Sequence, residues 1–362
     1  MQITERSFQF ERVARQQKHR QALLLCICTL PFAFLLSLSI GAVDVSLWQM
    51  LASFSGDLND VTSESNMQAM QRAIVFEIRM PRILMTMLTG AGLAICGVVL
   101  QSIFRNPLAD PGLIGVSSCA ALFAALGFFI SSIFIVSEWL LPYFIPVMAF
   151  IGALVSVCLL FAVAGRNKQV NTLMLILAGV AINAGAMTLL GIITVIVDDS
   201  TLRQISFWSM GSYAGISASV SVMTTFVIFV GAYLLWQQKN ALMLMAIGEK
   251  QAKFQGIDTE RVKIRSLIIV SAMIAVCVSF TGIVGFVGLV VPHICRMLST
   301  SHLKVLMPMC AMAGAILVCL ADTLARMVIA PSELPVGLIT SVIGVPVFVA
   351  LIYQEKRKQM DV

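Results

Sequence analysis

One stretch, residues 79–118, restricts the fold more than any other: RMPRILMTMLTGAGLAICGVVLQSIFRNPLADPGLIGVSS. It opens on two arginines around a proline, Arg79-Met80-Pro81-Arg82, and then runs without a charge from Ile83 to Phe104. An uncharged run of that length crosses the roughly 30 Å hydrocarbon core of a bilayer as one helix of about 20 residues. Gly90, Ala91, Gly92, Ala94 and Gly97 punctuate it. Small residues at helical spacing let backbones approach closely, so this helix is predicted to pack among others. The segment Arg105-Asn106-Pro107-Leu108-Ala109-Asp110-Pro111-Gly112 ends it, because two prolines and a glycine cannot continue a helix. A second apolar helix starts directly, with Gly115, Ser117 and Ser118 in its first turn.

The rest of the chain has the same character. Charged residues are 12% of the 362 and hydrophobic ones 59%, whereas a soluble domain carries about 25% charged residues. The chain is an integral membrane protein and reads as one transmembrane domain, 1–362. Residues 1–20 are polar and basic. The apolar run at 21–43 is too long for a signal-peptide core of about 7–15 residues and lacks a small-residue cleavage motif, so it is a retained first span. Residues 44–78 are polar and acidic and read as an external loop, with a short amphipathic helix near 61–76. Spans follow at 113–137, 140–165 and 170–197, then a short re-entrant or interfacial piece at 202–211 and a sixth span at 216–236. A basic polar segment occupies 239–265. A seventh span at 266–285 precedes 286–298, which is too short to cross alone, contains Pro292 and reads as a broken eighth helix. The ninth and tenth spans are 305–329 and 335–353.

Ten spans put both termini on one side. That side holds all of the 24 lysines and arginines except Arg72, Arg79, Arg82, Arg203 and Arg326, so the positive-inside rule makes it cytoplasmic.

Several segments together resemble the membrane permeases of type II ABC importers, which take up ferric siderophores, haem and cobalamin (the FecCD/BtuC-like family). They are RMPR, TGAGLAICGVVLQ and RNPLADPGLIGVSS, then GIVGFVGLVVPHICR at 282–296 and APSELPVGLITSVIGVPV at 330–347. The resemblance implies an all-α polytopic fold of about ten transmembrane helices in two related halves. A faint echo of Pro111-Gly112-Leu113-Ile114 near Pro335 agrees with an internal repeat. It also implies a homodimer, a cytoplasmic ATP-binding subunit, a periplasmic substrate-binding protein, an iron chelate as substrate and a bacterial inner membrane as location. No cofactor and no nucleic acid are implied; membrane lipid surrounds the chain.

Three sets of residues carry the functional expectations. Arg79, Arg82 and Arg326 stand at the outer ends of the second and ninth spans. Arginines at helix ends commonly snorkel, but they also suit bidentate pairing with carboxylates, and the resemblance gives them the docking of an acidic binding protein. Asp322 lies one turn from Arg326 and is expected to pair with it. The cytoplasmic run Gly248-Glu249-Lys250-Gln251-Ala252, closing at Gly256, is either a solvated charged loop or a helix docked on another protein. The resemblance makes it the coupling element that inserts into the ATPase, with Gln255 where a leucine is usual. Asn106, Pro107, Pro111, Gly112, Gly285, Gly288, Pro292 and Pro335 are structural motif positions.

Other chemistries lack their residues. The chain has no GxxxxGK[ST], so it does not bind ATP by a P-loop. His293 has no second His or Cys at ligand spacing beyond Cys295, and no metal site is expected. The nine cysteines sit almost entirely in apolar runs and behave as small hydrophobes, so no disulfide is expected. An ion-coupled secondary transporter usually carries ionisable groups mid-membrane, and a membrane hydrolase needs a catalytic set; neither is evident.

Overall fold

An apolar chain in lipid must satisfy every backbone N–H and C=O internally, and a helix does so within one segment. The computed structural model is accordingly helical almost throughout; it describes residues 2–41, 70, 72–134, 140–166 and 169–360. The chain begins with α1 (Gln2–Ser39). A π-helical turn, Ile74–Arg79, runs directly into α2 (Met80–Phe104). A 3-10 turn, Pro111–Ile114, leads into α3 (Val116–Ile133), then α4 (Leu141–Ala164). A two-residue antiparallel ladder, Gly165–Arg166 with Gln169–Val170, joins α4 to α5 (Thr172–Ile196). Next come α6 (Asp199–Ser209), α7 (Ala218–Gln237), α8 (Lys239–Ile247) and α9 (Glu249–Phe254). The last four are α10 (Thr259–Thr281), α11 (Val287–Leu298), α12 (Leu303–Met327) and α13 (Val336–Met360).

Among the described residues 8 helical stretches are long and apolar enough to cross a membrane, and α11 and Val336–Ala350 are shorter apolar helices. Each predicted span therefore finds its helix, and the re-entrant piece at 202–211 corresponds to α6.

Boundaries differ where polar residues continue a helix. The basic segment 2–20 is the first part of α1. Residues 74–78, expected in the external loop, are already helical, while the proposed amphipathic helix near 61–76 falls mostly outside the described residues. The segment 239–265 is a helix pair plus the first turns of α10, which starts at Thr259 because the Asp258 carboxylate accepts from the Arg261 N–H and caps it. At the other end α13 continues to Met360, past the expected limit of 353.

Helix α2 is the axis of the bundle and is buried along most of its length. Its glycines explain how. A Cβ on Gly90 would overlap the Gly314 carbonyl of α12, and one on Gly97 would overlap the Gly288 carbonyl of α11. Only hydrogen at these positions lets the three helices meet at backbone distance. The main core then fills outward with Leu93, Val99, Leu100, Met273, Ile274 and Leu306, all buried.

Candidate functional site

Three chain breaks meet inside the bundle. Helix α6 is capped by Asp198, whose carboxylate accepts from the Ser200 N–H at 2.9 Å and the Thr201 hydroxyl at 2.7 Å. Hydrogen bonds from Ser200 and then Thr201 hold that carboxyl below the usual aspartate value. The helix ends at Ser209, and Gly211 turns the chain with φ 77°. There the Ser212 N–H donates to Thr281 O at 2.8 Å, the Val336 N–H to Gly211 O at 2.9 Å and the Gly337 N–H to Met210 O at 3.0 Å. The ends of α6 and α10 and the start of α13 are thus stitched through backbone alone. After α10 the chain turns at Gly282 (φ 68°), and Phe286, also left-handed at φ 66°, opens α11. Gly282 packs so tightly that a Cβ would overlap the Trp208 carbonyl. With 12 residues α11 is about 18 Å long, shorter than the hydrocarbon core, so it cannot cross alone. Non-helical backbone at membrane depth is tolerated where protein or a water-filled cavity surrounds it. Beside the junction, at the end of α3 and the start of α4, lies a cavity of about 920 Å³. Phe128, Tyr143, Trp208 and Phe280 give it aromatic walls, and Ser131 and Thr201 give it hydroxyls.

The motif residues build the breaks. Arg105 leaves α2 in the left-handed region (φ 50°), and the Asn106 side chain accepts from the Leu108 N–H at 2.9 Å, closing a turn that accommodates Pro107. Asp110 caps the 3-10 turn through the Gly112 N–H at 2.7 Å. Asn183 of α5 donates to Gly112 O at 2.9 Å, and its Oδ1 takes the Ser118 hydroxyl, which locks the inner break onto α5. Gly288 passes so close to Pro111 that a side chain would collide with the proline ring. Gly285 O accepts the Val287 N–H at the start of α11, Pro292 lies buried inside α11, and Pro335 precedes α13.

Arg79, Arg82 and Arg326 are buried, not displayed. Arg79 donates to Leu38 O at 2.6 Å and to Ser39 O at 3.3 Å. Arg326 donates to Ile40 O at 2.8 Å, Ser37 O at 3.1 Å and the Ser37 hydroxyl at 2.8 Å. Two guanidiniums thus satisfy the carbonyls that α1 leaves open at its C-terminus, where positive charge is also favoured by the helix dipole. Arg82 reaches Asp322 at 2.8 Å and Glu333 at 2.8 Å, and Asp322 also contacts Arg326 at 3.2 Å, the pair expected from the sequence. The result is a neutral cluster of two arginines and two carboxylates, which ties α2, α12 and the α12–α13 loop together. Glu333 was not singled out in the sequence; its position in APSELP gives no periodic signal.

On the opposite face Gly248 is the joint between α8 and α9, not an interior helix position. Gly256 (φ 79°) is the residue beyond the α9 C-cap, where the Ile257 N–H bonds back to Ala252 O at 3.1 Å. Ala252 is fully buried against its own chain. Glu249 accepts from Lys263 Nζ of α10 at 2.9 Å, with Lys253 at 3.4 Å. Burial alone would raise the Glu249 carboxyl; the Lys263 hydrogen bond and charge outweigh it and hold the group below its usual value. Among its exposed polar residues α9 also exposes Phe254, 89% accessible, and Ile247 at the end of α8 is exposed too. Sequence reasoning passed over both because hydrophobic residues in a charged segment carry no periodic signal.

The FecCD transport family model matches residues 29–354. The hemin transport system permease protein HmuU of Yersinia pestis is 40% identical over 79% of this chain and 85% of its own length. The vitamin B12 import system permease protein BtuC of Serratia proteamaculans is 33% identical over 96% of this chain and 97% of its own. A solved inward-facing metal-chelate type ABC transporter superposes with a TM-score of 0.79 at 28% identity, covering 92% of this chain and 99% of that one. Buried glycine contacts between α2, α11 and α12, broken helices meeting in the membrane and these likenesses lead to one conclusion: the chain belongs to the FecCD transport family and is an ABC importer permease.

Proposed function

We propose that this permease carries an iron chelate, haem or a ferric siderophore, across a bacterial inner membrane. The 40% identity to a hemin permease is the observation that carries the haem reading. The cavity of about 920 Å³ beside the junction of broken helices, with aromatic walls and hydroxyls, is of a kind that receives a bulky, partly apolar chelate. Two copies of the chain form a homodimer with the pathway between them. Hydrolysis of ATP belongs to separate cytoplasmic subunits, since this chain has no P-loop. The exposed Phe254 on α9 enters that subunit, while Gly248, Glu249, Ala252 and Gly256 shape and anchor the element from within. A periplasmic binding protein delivers the substrate to the outer face. Arg79, Arg82 and Arg326 serve docking in the form their burial dictates: Glu333 is the replaceable partner, and a carboxylate of the binding protein takes its place on Arg82. The basic face that includes both termini is cytoplasmic. A cobalamin substrate is the second reading, favoured by the alignment of a B12 permease over 96% of the chain.

The test is uptake of labelled haem, several ferric siderophores and cobalamin by a strain lacking this chain, with and without it restored. Restored uptake of haem or a siderophore alone is expected. Restoration of cobalamin alone replaces the substrate, and restoration of none, with binding protein and ATPase present, overturns the importer assignment for this whole class.

A further inference from the structure

Where α2, α8 and α11 end and α12 begins, on the face that holds the N-terminus, the fold leaves a cavity of about 440 Å³. Arg105, Arg296 and His302 contribute to its wall, and among the described residues no Asp or Glu lines it. Arg296 makes one hydrogen bond, from Nη1 to Gln101 Oε1 at 2.5 Å, and forms no ion pair among the described residues. Gln101 itself is 4% exposed, and its Nε2 faces Ala109 O at 3.3 Å and Gly288 O at 3.4 Å. Those carbonyls fix the amide so that its oxygen faces Arg296, which holds the guanidinium at the cavity wall with its remaining donors unspent. Arg105 stands at the mouth on its left-handed backbone, its side chain exposed. A cation half-buried without a counter-charge is costly, and an arginine fork matches phosphate oxygens in a bidentate way. Leu108, next in the chain to the wall residue Pro107, and Met297 and Leu298, which follow the wall residue Arg296 at the end of α11, expose apolar surface.

We propose that this cavity binds the phosphate of an anionic phospholipid from the adjoining leaflet, with Arg296 and Arg105 on the phosphate oxygens. Basic pockets between membrane helices take lipid headgroups on general electrostatic grounds; here the apolar rim selects a lipid over a free anion. The competing occupant is an acidic side chain of the ATPase subunit, since α8 contributes Met243 and Ile247 to the same wall. The site does not rest on the substrate or on the direction of transport.

Native mass spectrometry of the detergent-solubilised full chain tests it, with phosphatidylglycerol, phosphatidylethanolamine or inorganic phosphate added separately. Retention of phosphatidylglycerol about tenfold above phosphatidylethanolamine is expected, falling to parity in Arg105→Gln and in Arg296→Gln, in line with the loss of one charge-assisted hydrogen bond. Because Arg105 is exposed, its variant keeps the fold. Equal retention of the two lipids, unchanged retention in Arg105→Gln, or release of bound phosphatidylglycerol when the ATPase subunit is added would each overturn the assignment. Inorganic phosphate competing as well as the lipid would also overturn it.

Discussion

Replacing Asp322 with alanine probes the buried charge cluster most directly. Asp322 takes Arg82 through contacts of 2.8, 3.0 and 3.3 Å and meets Arg326 at 3.2 Å, with its side chain 1% exposed. Removing one partner of a buried pair costs about 3–5 kcal/mol, because the remaining charge is left uncompensated where water cannot reach it. Here two guanidiniums lose their shared anion, so the upper part of that range, about 5 kcal/mol, is expected. Glu333 also holds Arg82 at 2.8 Å, but its side chain is 37% exposed. Solvent screens that pair, and Glu333→Ala should cost no more than about 1 kcal/mol. Reversible unfolding of the purified chain in mixed micelles titrated with SDS measures both. The expected gap is at least about 3 kcal/mol, more than a hundredfold in the folding equilibrium. Salt should shrink the Glu333 effect and leave the Asp322 effect in place. Equal costs for the two substitutions would refute the claim that burial, and not proximity alone, makes this cluster structural.

Other outcomes follow from the same geometry. Gly90→Leu drives a side chain into the Gly314 carbonyl and should destabilise by about 1–3 kcal/mol or more, whereas Gly185→Ala, with open space around it, should be neutral or stabilising by up to about 1 kcal/mol; the same SDS titration separates them. Phe254→Ala should leave unfolding unchanged and lower co-purification of the ATPase subunit, since the ring touches almost nothing in its own chain. The depressed Glu249 carboxyl contributes stability that is complete above its unfolded value of about 4.3 and is lost as pH falls through its lower folded value. Proteolysis at the α8–α9 joint should therefore stay flat from neutral pH down to about that value and accelerate below it, and Glu249→Gln should remove the acid limb.

Much of this architecture can be read from residues whose physics is local. Pro107 and Pro111 cannot continue α2, and the chain breaks there; Pro292 inside a short apolar run marks α11 as a half-helix. The glycines of α2 announced close packing, though not that Gly314 and Gly288 would be the partners. Hydropathy alone does not set helix ends: α10 begins at a legible cap, Asp258 with Glu260 in the first turn, seven residues ahead of the apolar run that starts at Ser266. The outer arginines show the deeper limit. Their position at span ends is visible, but whether a guanidinium faces outward or turns in depends on carbonyls far away in sequence, and nothing around Arg326 points to Ser37 or Ile40. Phe254 escaped notice for the opposite reason: its meaning lies in what does not cover it.

The capping of α1 also fixes an order of events. Synthesis and insertion run from the N-terminus, so α1 enters the membrane long before the residues that complete it. Leu38 and Ser39 find Arg79 as soon as the second span arrives, 41 positions after Leu38. Ser37 and Ile40 wait for Arg326, 286 positions beyond Ile40, when nearly the whole chain has been made. Until then, among the described residues, only Arg79 meets the terminal carbonyls of the first helix, and the arrival of α12 completes their capping. A truncated or stalled chain therefore exposes a half-finished helix terminus, a chemical mark by which an incomplete permease differs from a finished one.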